Sequence, residues 1–256
     1  VGNRVTSHLS AVHVHNAANR LLEDDTFTYT YDANGNLTSK TDKATLETTA
    51  YTYDVENQLV RADLPGGGFA EYRYDGLGRR IEKNVNGVIA RFVYDQEDIV
   101  ALYDASGCWQ QSILHGPGID QPISLIRDSS GNCSPFAASG AREETRYLLA
   151  DGLGSITALT SEIGATFSAR PTRLQERYVY DAFGNLTIQS AGPDRIMETG
   201  DDAVLPGSAF GNLHFFTGRE LDPETGLYYY RARYYDPQTG RFLQEAPINY
   251  QNGENL

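Results

Sequence analysis

Residues 215–248 read FFTGRELDPETGLYYYRARYYDPQTGRFLQEAPI, and they contain the pattern Asp-Pro-x-Thr-Gly twice, at Asp222-Pro223 to Gly226 and at Asp236-Pro237 to Gly240, 14 residues apart. Each copy is a turn with a mechanism. An Asp side chain accepts a hydrogen bond from the backbone two residues on, Pro fixes φ for the next position, and Gly takes the left-handed conformation before the chain re-extends. Between the turns, Leu227 to Tyr235 holds no breaker and is dense in aromatic residues, so it is predicted to be one strand. A period of two then sends Tyr228, Tyr230, Ala232 and Tyr234 to one face and Leu227, Tyr229, Arg231, Arg233 and Tyr235 to the other. On the second face guanidinium planes stack on phenol rings, which predicts an adhesive sheet surface.

Working outward, a hairpin figure recurs upstream. Aromatic and hydroxyl residues alternate into Tyr31-Asp32, the chain turns through Gly35, and it leaves on Asn36-Leu37. The figure returns at Tyr53-Asp54, at Tyr74-Asp75 with Gly78, at Tyr94-Asp95, and at Tyr180-Asp181 with Gly184. The third residue after each of the Asp residues 32, 54, 75 and 181 is Gly or Asn, the residues most tolerant of left-handed geometry. The Asp95 copy has lost its glycine, and Tyr103-Asp104 with Gly107 is expected to take over that turn; Asn16 to Leu21 reads as an eroded copy. Strands are expected at Gln111 to Leu114 and Ile123 to Ile126 between longer loops, and the one stretch with helical character is Ala141 to Leu149.

Seventeen Tyr, 25 Gly and 10 Pro against a single Met suit many short strands joined by tight turns. A net charge of −13 argues against a nucleic-acid partner, since such affinity comes mainly from a positive footprint. The 21 basic residues comprise 18 Arg and only Lys40, Lys43 and Lys83. No stretch is long and apolar enough to span a membrane as a helix. Cys108 and Cys133 suffice for one bridge and not for a disulfide framework.

The quoted stretch closely resembles the core that closes proteins of the rearrangement-hotspot (Rhs) or YD-repeat family, and the upstream hairpins resemble its repeats. That resemblance implies an all-β fold, an antiparallel hairpin ribbon coiled into a shell and present here as an open fragment. It further implies an organisation of YD hairpins over 1–105, irregular and late repeats over 106–190, an acidic inserted loop over 191–213 and a truncated core over 214–256. In such proteins the shell encloses a C-terminal toxic effector, so the implied partners are that effector and the rest of the shell, with a secreted or cell-surface bacterial location and an export signal outside this sequence. The competing expectation is a surface adhesin that binds carbohydrate on its tyrosine-rich sheet.

Bacterial relatives also cleave themselves beyond the core by an aspartyl-type reaction in which paired carboxylates activate water. Ala246 stands where the resemblance leads one to expect Asp, and Asn249 where Gly is usual, so this copy of the site is expected to be inactive. Asp222 and Asp236 are read instead as turn residues, and no catalytic residue and no cofactor is assigned. Asp194, Asp201 and Asp202 in the acidic loop offer hard oxygen ligands to calcium but lack the alternating spacing of an EF-hand, so a solvated loop is the favoured reading.

Overall fold

In a computed structural model of the chain, the described residues are 5–128, 143–161, 174–192, 197, 200 and 202–246. Among them there is no α-helix, only strands and two short 3-10 turns at Pro65–Gly67 and Phe216–Gly218. The stretch expected to have helical character contributes the strand Glu143–Ala150, paired on both sides. Ladder pairing on both sides, with Leu148 buried in the late cluster, overrides helix propensity.

Seventeen strands form one antiparallel ribbon in which each strand pairs with its neighbour in sequence, from Val14–His15 through to Ala203–Leu205. The ribbon runs without a break through 105/106, because Asp98–Asp104 pairs with Trp109–His115 across the Asp104 turn. Among the described residues it is not closed into a barrel. A second sheet of four strands, Glu220–Asp222, Leu227–Tyr230, Arg233–Asp236 and Arg241–Phe242, is built from the quoted stretch.

The YD turns share one geometry. Asp32, Asp54, Asp75, Asp104, Asp151 and Asp181 each accept, through Oδ1, the amide of the residue four positions on. For all but Asp32 the amide two positions on donates to the same oxygen. The residue three positions on has positive φ: Gly35, Asn57, Gly78, Gly107, Gly154 and Gly184. Asn16 makes the same turn with Ala18 and Arg20, and Asn19 is left-handed, so the eroded copy keeps the geometry after losing the charge. Asp95 does not: its strand returns through the two residues Gln96 and Glu97, with Gln96 at φ 53°.

The strand order places the turns at Asp32, Asp54, Asp75, Gln96, Gly116–Gln121, Asp151 and Asp181 on one rim of the ribbon, while the Asp104 turn lies on the other. Tyrosine hydroxyls tie neighbouring hairpins along that rim. Tyr31, Tyr53, Tyr74, Tyr94 and Tyr180 donate to the carbonyls of Leu21, Leu37, Leu59, Arg80 and Ile156. In every case the acceptor is the fifth residue after the turn Asp or Asn of the preceding hairpin. Burial pushes these phenols up, Tyr31 to about 12, so the hydroxyls stay protonated as donors.

Candidate functional site: the seat of the core sheet

Leu227 to Tyr235 is a hairpin and not the single strand that its composition suggests. Tyr228 pairs with Tyr235, Tyr229 with Tyr234 and Tyr230 with Arg233, across a two-residue loop in which Arg231 is left-handed at φ 59°. The loop changes the parity of the second arm. Tyr234 therefore shares a face with Leu227 and Tyr229, and Tyr235 with Tyr228 and Tyr230, opposite to the assignment for one strand.

Both faces are covered by the ribbon. Leu227, Tyr229 and Tyr234 pack with Tyr29, Tyr51, Leu59 and Tyr72 from the early hairpins. Tyr228 packs with Ile156, Leu159, Tyr178 and Ile188 from the late ones, with Tyr230 and Tyr235 against the same cluster. The curled ribbon thus holds two halves apart, and the small sheet fills the space between them. Arginines do lie over rings here, but not as the single-strand reading has it: Arg233 lies 3.7 Å from the Phe242 ring centre and Arg219 5.0 Å from that of Tyr230, while Arg231 pairs with carboxylates.

Turns along the YD rim meet this segment directly. The Leu37 amide donates to the Leu243 carbonyl and the Ile156 amide to that of Phe215. Tyr228 and Tyr235 hydroxyls donate to the carbonyls of Gly184 and Phe183, and Asn185 donates to that of Pro237. At the loop end, Arg231 and Arg219 bind Asp120 at 2.9 and 2.7 Å, and Arg231 also faces Glu97 and Asp98. The core sheet is a plug seated in the rim.

Two buried carboxylates of the plug, Asp222 and Asp236, pair with cations of the ribbon. Asp222 is 1% exposed and pairs with Arg80, itself 1% exposed, and with Lys83 at 2.8 Å. Burial works to raise the Asp222 carboxyl, but the two cations outweigh it and hold it below the usual carboxylate range. Glu224 beside it is raised, by burial and then by the Asp222 charge. The Arg80 guanidinium sits among the rings of Tyr229, Phe92, Tyr72 and Tyr234, 4.4 to 5.9 Å from their centres. Asp236 accepts Lys40 at 3.0 Å and, through its other oxygen, the Gln238 amide at 2.8 Å.

Asp236 is therefore the turn residue expected of it, with an ion pair added. Asp222 differs in part: its backbone carbonyl closes the turn, accepting the Thr225 and Gly226 amides, while its side chain joins the plug to the wall. Each of the two turn aspartates is committed to cations of the ribbon, Asp222 to Arg80 and Lys83 and Asp236 to Lys40. Pro223 and Pro237 follow them in the turns, and Gly226 and Gly240 take positive φ as expected. Ala246 is exposed at the exit of the plug, after Glu245 pairs with Arg20 at 2.9 Å; Asn249 lies outside the described residues. Asp194 and Asp201 also lie outside them, Asp202 is described, and no cluster suited to a metal occurs among the described residues. Cys108 is disulfide-bonded, and Cys133 lies outside the described residues.

Arg80, Lys40 and Lys83 were not singled out by sequence reasoning, although a signal for Arg80 was present. The fifth residue after the turn Asp or Asn is Leu21, Leu37, Leu59, Trp109, Ile156 and Leu186 in the other copies, and Arg here. A charge at a position otherwise apolar marks a buried partner elsewhere.

A hairpin ribbon curled about its own terminal sheet defines a YD-repeat shell wall with an internal plug. The chain belongs to the teneurin YD-shell family, whose sequence profile matches residues 2–253. It is 31% identical over 245 residues to the tRNA nuclease WapA of Bacillus subtilis strain 168, a match that covers 94% of this chain and 9% of that protein. It is 28% identical over 257 residues to the double-stranded DNA deaminase toxin A of Burkholderia cenocepacia strain H111, covering 93% of this chain and 16% of that one. Among solved structures, the Tc holotoxin pore of Photorhabdus luminescens superposes with a TM-score of 0.54 at 17% identity, covering 93% of this chain and 14% of the other. The TcdB2-TccC3 crystal structure superposes at 0.52 with 18% identity, covering 85% and 12%. These likenesses support the fold, and this chain spans a small fraction of each protein.

Proposed function

We propose that this chain is the plugged end of an encapsulating shell of a bacterial polymorphic toxin, which holds an effector domain encoded further along the same polypeptide. The observation that carries the reading is the plug itself: a tyrosine-rich sheet buried on both faces between two arms of the ribbon, tied to the wall by ion pairs at both Asp-Pro-x-Thr-Gly turns. Its work is mechanical closure, and its partners are the rest of the shell and the enclosed domain. The toxin names of the relatives support that context, and the effector's own chemistry lies outside these residues. A secreted route fits the same context.

The adhesin reading needs aromatic rings on the surface as a stacking platform for sugars. Here Tyr29, Tyr51, Tyr72, Tyr178, Tyr228, Tyr229 and Tyr234 are all buried, which favours containment. Limited proteolysis of the protein expressed from its full reading frame tests the proposal. An enclosed downstream domain survives trypsin in the intact protein and is degraded when the plug is unseated by Arg80→Met. Equal digestion of that domain in both proteins refutes enclosure.

A further inference from the structure

The two Asp-Pro-x-Thr-Gly turns are held by one device used twice. Lys40 is the eighth residue after Asp32, and Lys83 the eighth after Asp75. Each lies opposite a tyrosine three residues before its turn Asp, since Lys40 pairs with Tyr29 and Lys83 with Tyr72. Each ammonium takes two oxygens of one plug turn. Lys40 donates to Asp236 at 3.0 Å and to the Gln238 side-chain oxygen at 2.6 Å. Lys83 donates to Asp222 at 2.8 Å and to Glu224 at 3.3 Å. In both turns these are the Asp and the x of Asp-Pro-x-Thr-Gly.

The hairpin between them has Ala62 at the equivalent position, opposite Tyr51 and fully buried in the cluster that contains Tyr229 and Tyr234. The residue types are selective. Of the chain's three lysines, two stand at these positions, while Arg supplies almost every other cation. A compact ammonium with rotatable donors can divide itself between two acceptors at its tip, as both lysines do. Both lysines are 12% exposed at the side chain, so the pairs are largely desolvated and a missing partner strands a charge.

We infer that Lys40 and Lys83 are a two-point reader that fixes which hairpins of the ribbon receive the plug. A slip by one hairpin places Ala62 under one of the turn carboxylates, with no cation to meet it. The mismatch is rejected by an uncompensated buried charge, although the tyrosine faces on either side are nearly equivalent. The reader requires x to be a residue with a side-chain oxygen acceptor, as Glu224 and Gln238 are. The inference rests on the seated plug and is independent of what the shell encloses.

Hydrogen exchange on the intact chain tests it, read at the Gly240 and Gly226 amides, which donate to the carbonyls of Asp236 and Asp222 at 2.8 Å each. Lys40→Gln removes the ammonium from both Asp236 and Gln238 and is expected to speed exchange at Gly240 by about tenfold or more, leaving Gly226 unchanged. Lys83→Gln acts on Gly226 alone and less strongly, because Arg80 still holds Asp222. Because the remaining lysine still holds the register, each single variant loosens its own turn only. Equal acceleration of both turns by a single variant, or of neither, overturns the inference, and so does a Lys40→Gln, Lys83→Gln double variant in which both turns stay as protected as in the parent chain. Should a glutamine variant fail to fold, Asp236→Asn removes the charge and keeps an oxygen for the Gln238 amide. It must accelerate Gly240 and spare Gly226, and the same two outcomes count against the reader.

Discussion

Arg80→Met is the most informative single change. Methionine keeps the length and apolar bulk of the stem and removes the charge from a side chain that is 1% exposed. Asp222 is left in the plug with Lys83 as its remaining cation, and four surrounding rings lose the guanidinium. Breaking a buried ion pair from one side costs about 3–5 kcal/mol, and the surviving Lys83 puts the expectation at the lower end, near 3 kcal/mol. Asp222→Leu alone is expected to cost a similar amount, because Arg80 then keeps no carboxylate. The double variant removes both charges together, and its cost should fall short of the sum of the singles by about 2 kcal/mol. Urea titration under non-oxidising, non-reducing buffer, followed by the fluorescence of the sole tryptophan, Trp109, reads all three differences. A cost below about 1 kcal/mol for Arg80→Met, or strict additivity in the double variant, refutes the account of the plug as electrostatically seated.

Stability should fall with acid in two windows. Burial, then the neighbouring His214, holds His115 below its ordinary value of 6.5, so the unfolded chain binds that proton first and stability drops as pH falls below about 6.5. His115→Gln, which can still donate to the Ile99 carbonyl, should remove this upper step in a pH series of melting temperatures. The lower step begins near the ordinary carboxylate value of 3.8, where Asp222 and the turn residues Asp75 and Asp181, all held low when folded, take up protons on unfolding. Gly184→Ala should be worse than Gly107→Ala in thermal melts. Both have positive φ, at 90° and 82°, but a methyl at 184 meets the Phe216 ring at 2.6 Å and one at 107 meets nothing within 4 Å. Tyr53→Phe should cost about 1 kcal/mol in urea titration, since it strips the Leu37 carbonyl of its hydroxyl partner. Extending the chain through its downstream segment should leave it uncut in intact-mass analysis, while Ala246→Asp, with Asn249→Gly if needed, restores cleavage; self-cleavage of the unaltered extension removes Ala246 from the catalytic position.

Much of this molecule is legible from local chemistry. The Asx geometry at Asp54, Asp75 and Asp181 follows from short-range rules, because the acceptor, the left-handed residue and the strand that follows lie within five positions of one another. The same rules fail at Arg231. Nothing in Tyr-Arg-Ala-Arg marks a turn, and a non-glycine residue held at φ 59° is enforced from outside, by Asp120, Glu97 and Asp98 of the rim. That loop alone reverses the parity of Tyr234 and Tyr235 relative to a single strand. Lys40 and Lys83 were illegible on other grounds, since their partners lie 196 and 139 residues away and no local pattern records them.

The rim is held in its curl by side chains, by single backbone contacts and by the packing of one small sheet, whereas most strands within the wall are held by a ladder of backbone bonds. Outward pressure on such a vessel becomes tension around its mouth, and tension finds the weakest link. Strands sheared along their length share the load across many bonds at once, but a plug drawn from its seat gives up its contacts a few at a time. The mouth should therefore yield long before the wall tears, with every hairpin still folded. If the chain closes a shell as proposed, that shell would open at a predetermined place and release its contents without first being destroyed.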